Sequence, residues 1–179
     1  MSHKGLASLS MLQVGLQELA AGPVDISAEL APDDEWLTDL GAPLAGPVRV
    51  AGRVQATGEG RYYWHGSVRA AVRAECRRCL APVTVPLAAE IGALFSRDVE
   101  ALDDPDVYPV PRDATRVDLR PAVREELLLA APRYVVCRED CRGLCPRCGA
   151  DLNAGPCGCG PAVDPRWQTL TARPDEPAP

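Results

Sequence analysis

The sequence predicts an α+β protein: an antiparallel β-meander, one main helix, and a cysteine-rich C-terminal segment. Three observations predict it. Runs of alternating apolar and polar residues, separated by turn-prone glycines, fill the middle of the chain. A single helical pattern follows, preceded by an aspartate and opened by a proline. Six of the eight cysteines then fall within residues 137–159. At 179 residues the chain suits one domain with a real core and is too short for two large ones. The expected organisation is one domain over 1–170: a β-rich body (10–136) with its helix at 119–131, then a cysteine segment (137–160). A polar, Pro-rich tail (171–179) is expected to be disordered.

Each element has its own signal. Leu12, Val14 and Leu16 alternate within residues 11–19, the pattern of a half-buried strand. An acidic stretch follows, with six acids and no basic residue from Asp25 to Asp39. It is expected to carry a short helix around Glu35–Leu40, capped by Asp33 or Asp34. From Pro47 the alternation is strong: Val48, Val50, Val54 and Ala56 share a face with Gly52, and Arg49, Arg53 and Gln55 share the other. After the turn-prone TGEG (57–60) and the segment RYYWHG, a second run sets Val68, Ala70, Val72, Ala74 and Cys76 opposite Arg69, Arg73 and Arg77. A third run alternates from Val83 through Val85, Leu87, Ala89, Ile91 and Ala93 to Phe95. Residues 97–118 read as a connector rich in Asp and Pro. Asp118 then caps the helix LRPAVREELLLAA, with Leu119, Val123 and Leu127 in one stripe, Leu128 and Ala131 beside it, and Pro132 as its stop.

Composition excludes several classes. A formal net charge of −6 argues against a protein coated in basic charge, although a local basic face is compatible with it. No apolar run is long enough for a membrane span. The segment MSHKGLASLSMLQVGLQEL, broken by Gln13, Gln17 and Glu18, lacks the apolar block of a signal peptide. The expectation is a cytoplasmic protein whose thiols stay reduced. No phosphate loop, GxSxG elbow or HExxH is present, so no enzyme signature stands out.

The cysteines come in four close pairs: Cys76-x2-Cys79, Cys137-x3-Cys141, Cys145-x2-Cys148 and Cys157-x-Cys159. Close pairs let two thiolates approach one ion from a tight turn, and two pairs complete a tetrahedral four-thiolate site. Glycine after Cys148 suits the positive φ that aims backbone amides at sulfur. Eight ligands make two closed sites, so the segment reads as zinc-ribbon-like and its zinc as structural rather than catalytic. Disulfides, a catalytic dithiol and an iron–sulfur cluster are the competing readings. The preferred grouping places Cys76, Cys79, Cys137 and Cys141 at one site and Cys145, Cys148, Cys157 and Cys159 at the other. The rival grouping joins Cys76 and Cys79 to Cys145 and Cys148.

Between residues 46 and 80, seven arginines face two acids, a local excess of five positive charges. With the valines turned inward, Arg49, Arg53, Arg69, Arg73 and Arg77 emerge on one outer face. Tyr62, Tyr63 and Trp64 are expected in the connecting loop beside them, where rings could stack on bases. The bland alternative is a solvated face balanced by the acidic stretches at 25–39 and 98–106, and charge alone leans that way.

The chain resembles the YceD family, the large-ribosomal-RNA accumulation proteins. The resemblance rests on Glu75–Leu80 (ECRRCL), VDLRPAVREELLLAAP, CREDCRGLCPRCGADLN and Asp164–Leu170 (DPRW-x-x-L). It implies a non-enzymatic bacterial protein needed for accumulation of large-subunit ribosomal RNA, with ribosomal RNA or a ribosomal protein as partner and no membrane or small-molecule substrate. It tips the arginine face toward RNA. Two further functions stay open: a module that uses its acidic segments to hold a basic ribosomal protein, and a thiol redox or metal-sensing protein.

Overall fold

The computed structural model describes residues 11–98, 104–160 and 166. The tail at 171–179, most of DPRW-x-x-L, and residues 99–103 of the acidic connector lie outside the described residues. Seven strands and two helices are present among them: β1 (Gln13–Gly15), α1 (Leu16–Ala21), β2 (Val24–Leu30), β3 (Val48–Gly58), β4 (Arg61–Glu75), β5 (Pro82–Ser96), β6 (Val107–Pro109), β7 (Arg116–Asp118) and α2 (Arg120–Ala130). A short 3-10 turn occupies Glu35–Leu37.

The main sheet has the order β2-β3-β4-β5-β6. Its first four strands form an antiparallel meander, and β6 adds to β5 in parallel. Strict alternation builds it: Val48, Val50, Val54, Trp64, Val68, Val72, Leu87, Ile91 and Phe95 are all buried on one face. Helix α2 covers that face through Leu119, Ala122, Val123 and Leu127. Leu128, expected beside the stripe, is exposed instead, and Ala122 takes the buried position. A separate two-stranded sheet joins β1 to β7 and buries Val14 and Val117.

Several sequence expectations change. The alternation at 11–19 yields a strand of only three residues. The chain then turns into α1, where Leu16 packs on the core and Leu19 is buried at the i, i+3 spacing of a helix. The acidic stretch begins as strand β2, whose Ile26, Ala28 and Leu30 are buried while Asp25, Ser27 and Glu29 face out. Its expected short helix shrinks to the single 3-10 turn, closed at its C-terminal end by the Thr38 hydroxyl, which donates to the Glu35 carbonyl at 2.8 Å. The connector at 97–118 contains β6 and β7. Leu119 takes the cap position of α2, and Asp118 stands one residue earlier, accepting Arg120 N–H at 3.1 Å. Most consequential, RYYWHG is part of β4, not a loop. Tyr62 and Trp64 belong to the inner face and are buried, so they have no surface to offer a base.

Trp64 also explains a pair of glycines. Gly52 and Gly66 sit opposite one another on the inner face. A Cβ on Gly66 would lie 2.5 Å from the Ala51 carbonyl and 2.8 Å from Trp64 Nε1. The indole therefore fills the space that side chains would occupy.

The β4–β5 hairpin is the long axis of the fold. It pairs without a break from Arg61↔Ser96 to Glu75↔Pro82, roughly 50 Å of strand at about 3.3 Å per residue. Strand β3 pairs β4 only as far as Arg69. Beyond it, Pro43–Ala45 takes over, with Leu44 opposite Val72. The hairpin's turn is the Cys76–Ala81 segment, which places the first cysteine pair at the tip of the sheet.

Candidate metal centres and arginine face

Two cysteine groups form, each with its four sulfurs within 4.8 Å of one another: Cys76, Cys79, Cys137, Cys141, and Cys145, Cys148, Cys157, Cys159. The structure brings together the preferred sets rather than the rival one. In the first group Cys76 Sγ lies 3.8 Å from Cys141 Sγ, and Cys79 Sγ lies 3.6 Å from Cys137 Sγ. Four sulfurs about 2.3 Å from one ion stand roughly 3.8 Å apart at the edges of a tetrahedron, so this spacing fits a tetrahedral soft cation. All eight cysteines are free thiols.

The two Cys-x-x-Cys turns are built alike. In one, Gly149 N–H donates to the Cys145 carbonyl (2.9 Å) and Cys145 N–H to the Ala150 carbonyl (2.8 Å). In the other, Leu80 N–H donates to Cys76 O (2.9 Å) and Cys76 N–H to Ala81 O (2.9 Å). Both turns end on a left-handed residue: Gly149 at φ 72° and Leu80 at φ 60°. Glycine adopts this conformation freely, whereas leucine there costs about 1–2 kcal/mol. No sequence rule flags Leu80.

The turns set the thiol chemistry. The backbone N–H of Cys79 points at Cys76 sulfur and lowers its pKa to about 6, against the cost of burial. The backbone N–H of Cys148, then that of Arg147, does the same for Cys145, also to about 6. The remaining sulfurs crowd these two. Hydrogen bonding with Cys141 and burial push Cys137 up to about 12, and the contact with Cys148 leads the rise of Cys159 to about 11. Each group thus holds one sulfur ready to be a thiolate and others that need a cation beside them. A tetrahedral ion held by all four sulfurs of a group would have no open position for substrate water.

The groups are also wired together. Arg78, between Cys76 and Cys79, donates through its guanidinium to the carbonyls of Glu139 (3.0 Å) and Cys141 (2.9 Å), and its own carbonyl accepts Leu144 N–H (2.9 Å). Gly143, at φ 73°, lies so close that a Cβ would meet the Arg78 carbonyl at 2.6 Å. Asn153, inside the loop of the second group, directs its amide N–H at Cys141 Sγ of the first (3.6 Å). Its Oδ1 accepts Arg142 N–H (2.8 Å) and Arg138 Nη2 (3.0 Å). Asn153 carries no metal-ligand chemistry, so ligand spacing passes over it. Its signal in sequence is the Asp-x-Asn pair, in which Asp151 accepts the Asn153 N–H (2.9 Å).

On the outer face of the sheet, two cross-strand rows run Glu29–Arg49–Arg69–Ala88 and Asp25–Arg53–His65–Gly92. Glu29 holds Arg49 at 2.9 Å, and Asp25 holds Arg53 at 2.7 and 3.1 Å. The Arg53 guanidinium in turn keeps the Asp25 carboxyl below its usual range. Two of the five predicted arginines are therefore neutralised by β2. Arg69 and Arg73 are exposed and make no ion pair among the described residues. Arg77 lies past the end of β4 with its Cζ 4.2 Å over the ring of Tyr134.

The YceD family profile, described as large ribosomal RNA subunit accumulation protein YceD, matches residues 64–172. The chain belongs to this family. A protein of Mycobacterium tuberculosis is 36% identical over 159 residues, covering 87% of this chain and 71% of that protein. A Mycobacterium leprae protein is 31% identical over 109 residues, covering 59% and 50%. A plant relative, the chloroplastic large ribosomal RNA subunit accumulation protein YCED homolog 1 of Arabidopsis thaliana, is 28% identical over 90 residues, covering 44% and 28%. No solved structure matches the chain. The family match takes in all eight cysteines, Arg69, Arg73, Arg77 and Tyr134, and begins after Arg49 and Arg53. No helix among the described residues is long and apolar enough to cross a membrane.

Proposed function

We propose that this YceD protein is a non-enzymatic cytoplasmic factor for accumulation of large-subunit ribosomal RNA, holding RNA along the outer face of β4 while zinc in both cysteine groups fixes its shape. Residues 1–170 act as one domain on this reading, with the 137–160 segment clamped to the hairpin tip as a zinc ribbon. The observation that carries it is the contrast along the arginine face: Arg49 and Arg53 are ion-paired, while Arg69 and Arg73 remain exposed and available to phosphates. Phosphate contacts of this kind gain their affinity from counterion release.

Replacing both residues, Arg69→Glu with Arg73→Glu, should abolish retention of ribosomal RNA and flatten the dependence of binding on salt. Both lie on the outer face, so the fold should be kept. Unchanged retention would reject the RNA face. The rival in which acidic segments hold a basic ribosomal protein is weakened because Asp25 and Glu29 are engaged with arginines of this chain. A ribosomal protein that co-purifies after nuclease treatment would favour that rival. The redox reading predicts a labile metal; zinc tightly held under mild oxidant would dismiss it.

A further inference from the structure

We infer that Tyr134, backed by Arg77, is a base-stacking platform for a single-stranded stretch of RNA at the tip of the β4–β5 hairpin. The inference rests on the RNA reading above and adds to it a ligand class and a residue. Four observations converge. Tyr134 is 71% exposed, the largest exposure among the exposed large apolar side chains apart from Leu129, which equals it. The Arg77 guanidinium stands over its ring at 4.2 Å, and at 71% exposure most of the side chain still faces solvent. Arg77 follows Arg69 and Arg73 at four-residue intervals, so the ring stands at the end of the line of arginines that make no ion pair among the described residues. Arg133, next to it in the chain, is exposed as well.

The ring is also held in place, which a stacking surface requires. Arg77 N–H donates to the carbonyl of Val135 at 2.9 Å, and Val135 itself is buried. The same short stretch leads into Cys137, whose sulfur meets Cys79. Both partners of the stack are thus fixed by the first cysteine group on either side. Acids are present nearby: Glu75 lies between Arg73 and Arg77, and Glu139 and Asp140 follow Cys137, with Asp140 held by Arg138 at 3.2 Å. The Tyr134 side chain stays exposed beside them. A base sliding onto the ring would complete an Arg–Tyr–base sandwich, while Arg69 and Arg73 take the phosphates that lead to it. A duplex keeps its bases stacked on each other and has none to give, so the platform selects single strands.

The test uses the purified full chain, a labelled polyadenylate strand of about 12 nucleotides, and its duplex with polyuridylate. Tyr134→Leu should weaken single-strand binding about tenfold, and Tyr134→Phe should preserve it, since stacking needs the ring and not the hydroxyl. Neither change should alter duplex binding. Arg77→Gln should weaken the single strand in the same sense and serves as a second variant if Tyr134→Leu melts early. Equal affinity of Tyr134→Leu and the parent, alongside loss in the Arg69→Glu, Arg73→Glu chain, would overturn the platform and leave the RNA face standing. If the arginine variant also binds like the parent, both readings fall. Equal loss on strand and duplex would overturn stacking, as would a Tyr134-dependent basic ribosomal protein that persists after nuclease.

Discussion

The two cysteine groups share a turn and differ in what the turn joins. Cys145-Pro-Arg-Cys148 closes on Cys157 and Cys159, within one stretch of 15 residues. Cys76-Arg-Arg-Cys79 closes on sulfurs 58 and 65 residues away, across the whole of β5, β6, β7 and α2. One site orders a loop and the other staples the tip of a sheet to the segment beyond the helix. Burial follows the same division: Cys76 and Cys141 are buried in the first group, and Cys145 alone in the second. The same hydrogen-bonded turn serves a local purpose in one place and a global one in the other.

Breaking that comparison is most direct at the sulfurs. The parent chain should carry two zinc per molecule, and Cys76→Ser with Cys141→Ser should leave one. That variant should lose on the order of 4 kcal/mol in denaturant unfolding, because a long-range clamp and its metal go together. Cys157→Ser with Cys159→Ser should also leave one zinc yet move the unfolding of the sheet much less. Equal losses in the two variants would show that the sites do not divide into a local and a global one.

A smaller effect should appear at Asn153, which belongs to the second loop and serves a sulfur of the first. Asn153→Leu should speed chelator extraction of zinc from the first site about tenfold while leaving the second at its parent rate, in line with other outer-shell partners of metal ligands. Acceleration at the second site alone would remove Asn153 from this role. The smallest effect concerns the left-handed residue of each turn. Gly149→Ala should cost about 1 kcal/mol. Leu80→Gly should cost nothing and gain a few tenths of a kcal/mol, since relieved strain is partly offset by the freer unfolded chain. Thermal denaturation reads both, and destabilisation by Leu80→Gly would mean that contacts of the Leu80 side chain outweigh its strain.

Much of this organisation is legible in the sequence because its signals are periodic or countable. The meander follows from strict alternation over long strands, and the cysteine sets from close pairs and a total divisible by four. Three-residue strands such as β6 and β7 carry too little pattern to be read, and the alternation that marks β1 runs on into α1. The aromatic run at 62–64 is a more instructive case: its neighbours suggest a turn, but Tyr62, Trp64 and Val68 share one parity, and the core takes them. The neutralising role of Asp25 and Glu29 is within reach of the sequence, since VDISAEL alternates as cleanly as any strand here. A concentration of acids hides that alternation, and only the register of β2 against β3 shows which arginines they meet. Tyr134 gives no periodic signal at all, because it stands between a helix and a turn.

The separation of Cys79 from Cys137 also fixes an order of events as the chain is made. At about 5–20 residues per second, the hairpin tip leaves the ribosome roughly 3–12 seconds before its first partner sulfur. During that interval the tip holds two sulfurs and cannot complete a four-sulfur cage. The later group needs only the eleven residues after Cys148, so its ligands emerge close together. The four-sulfur cage at the tip can therefore be completed only after β5 and α2 have been synthesised.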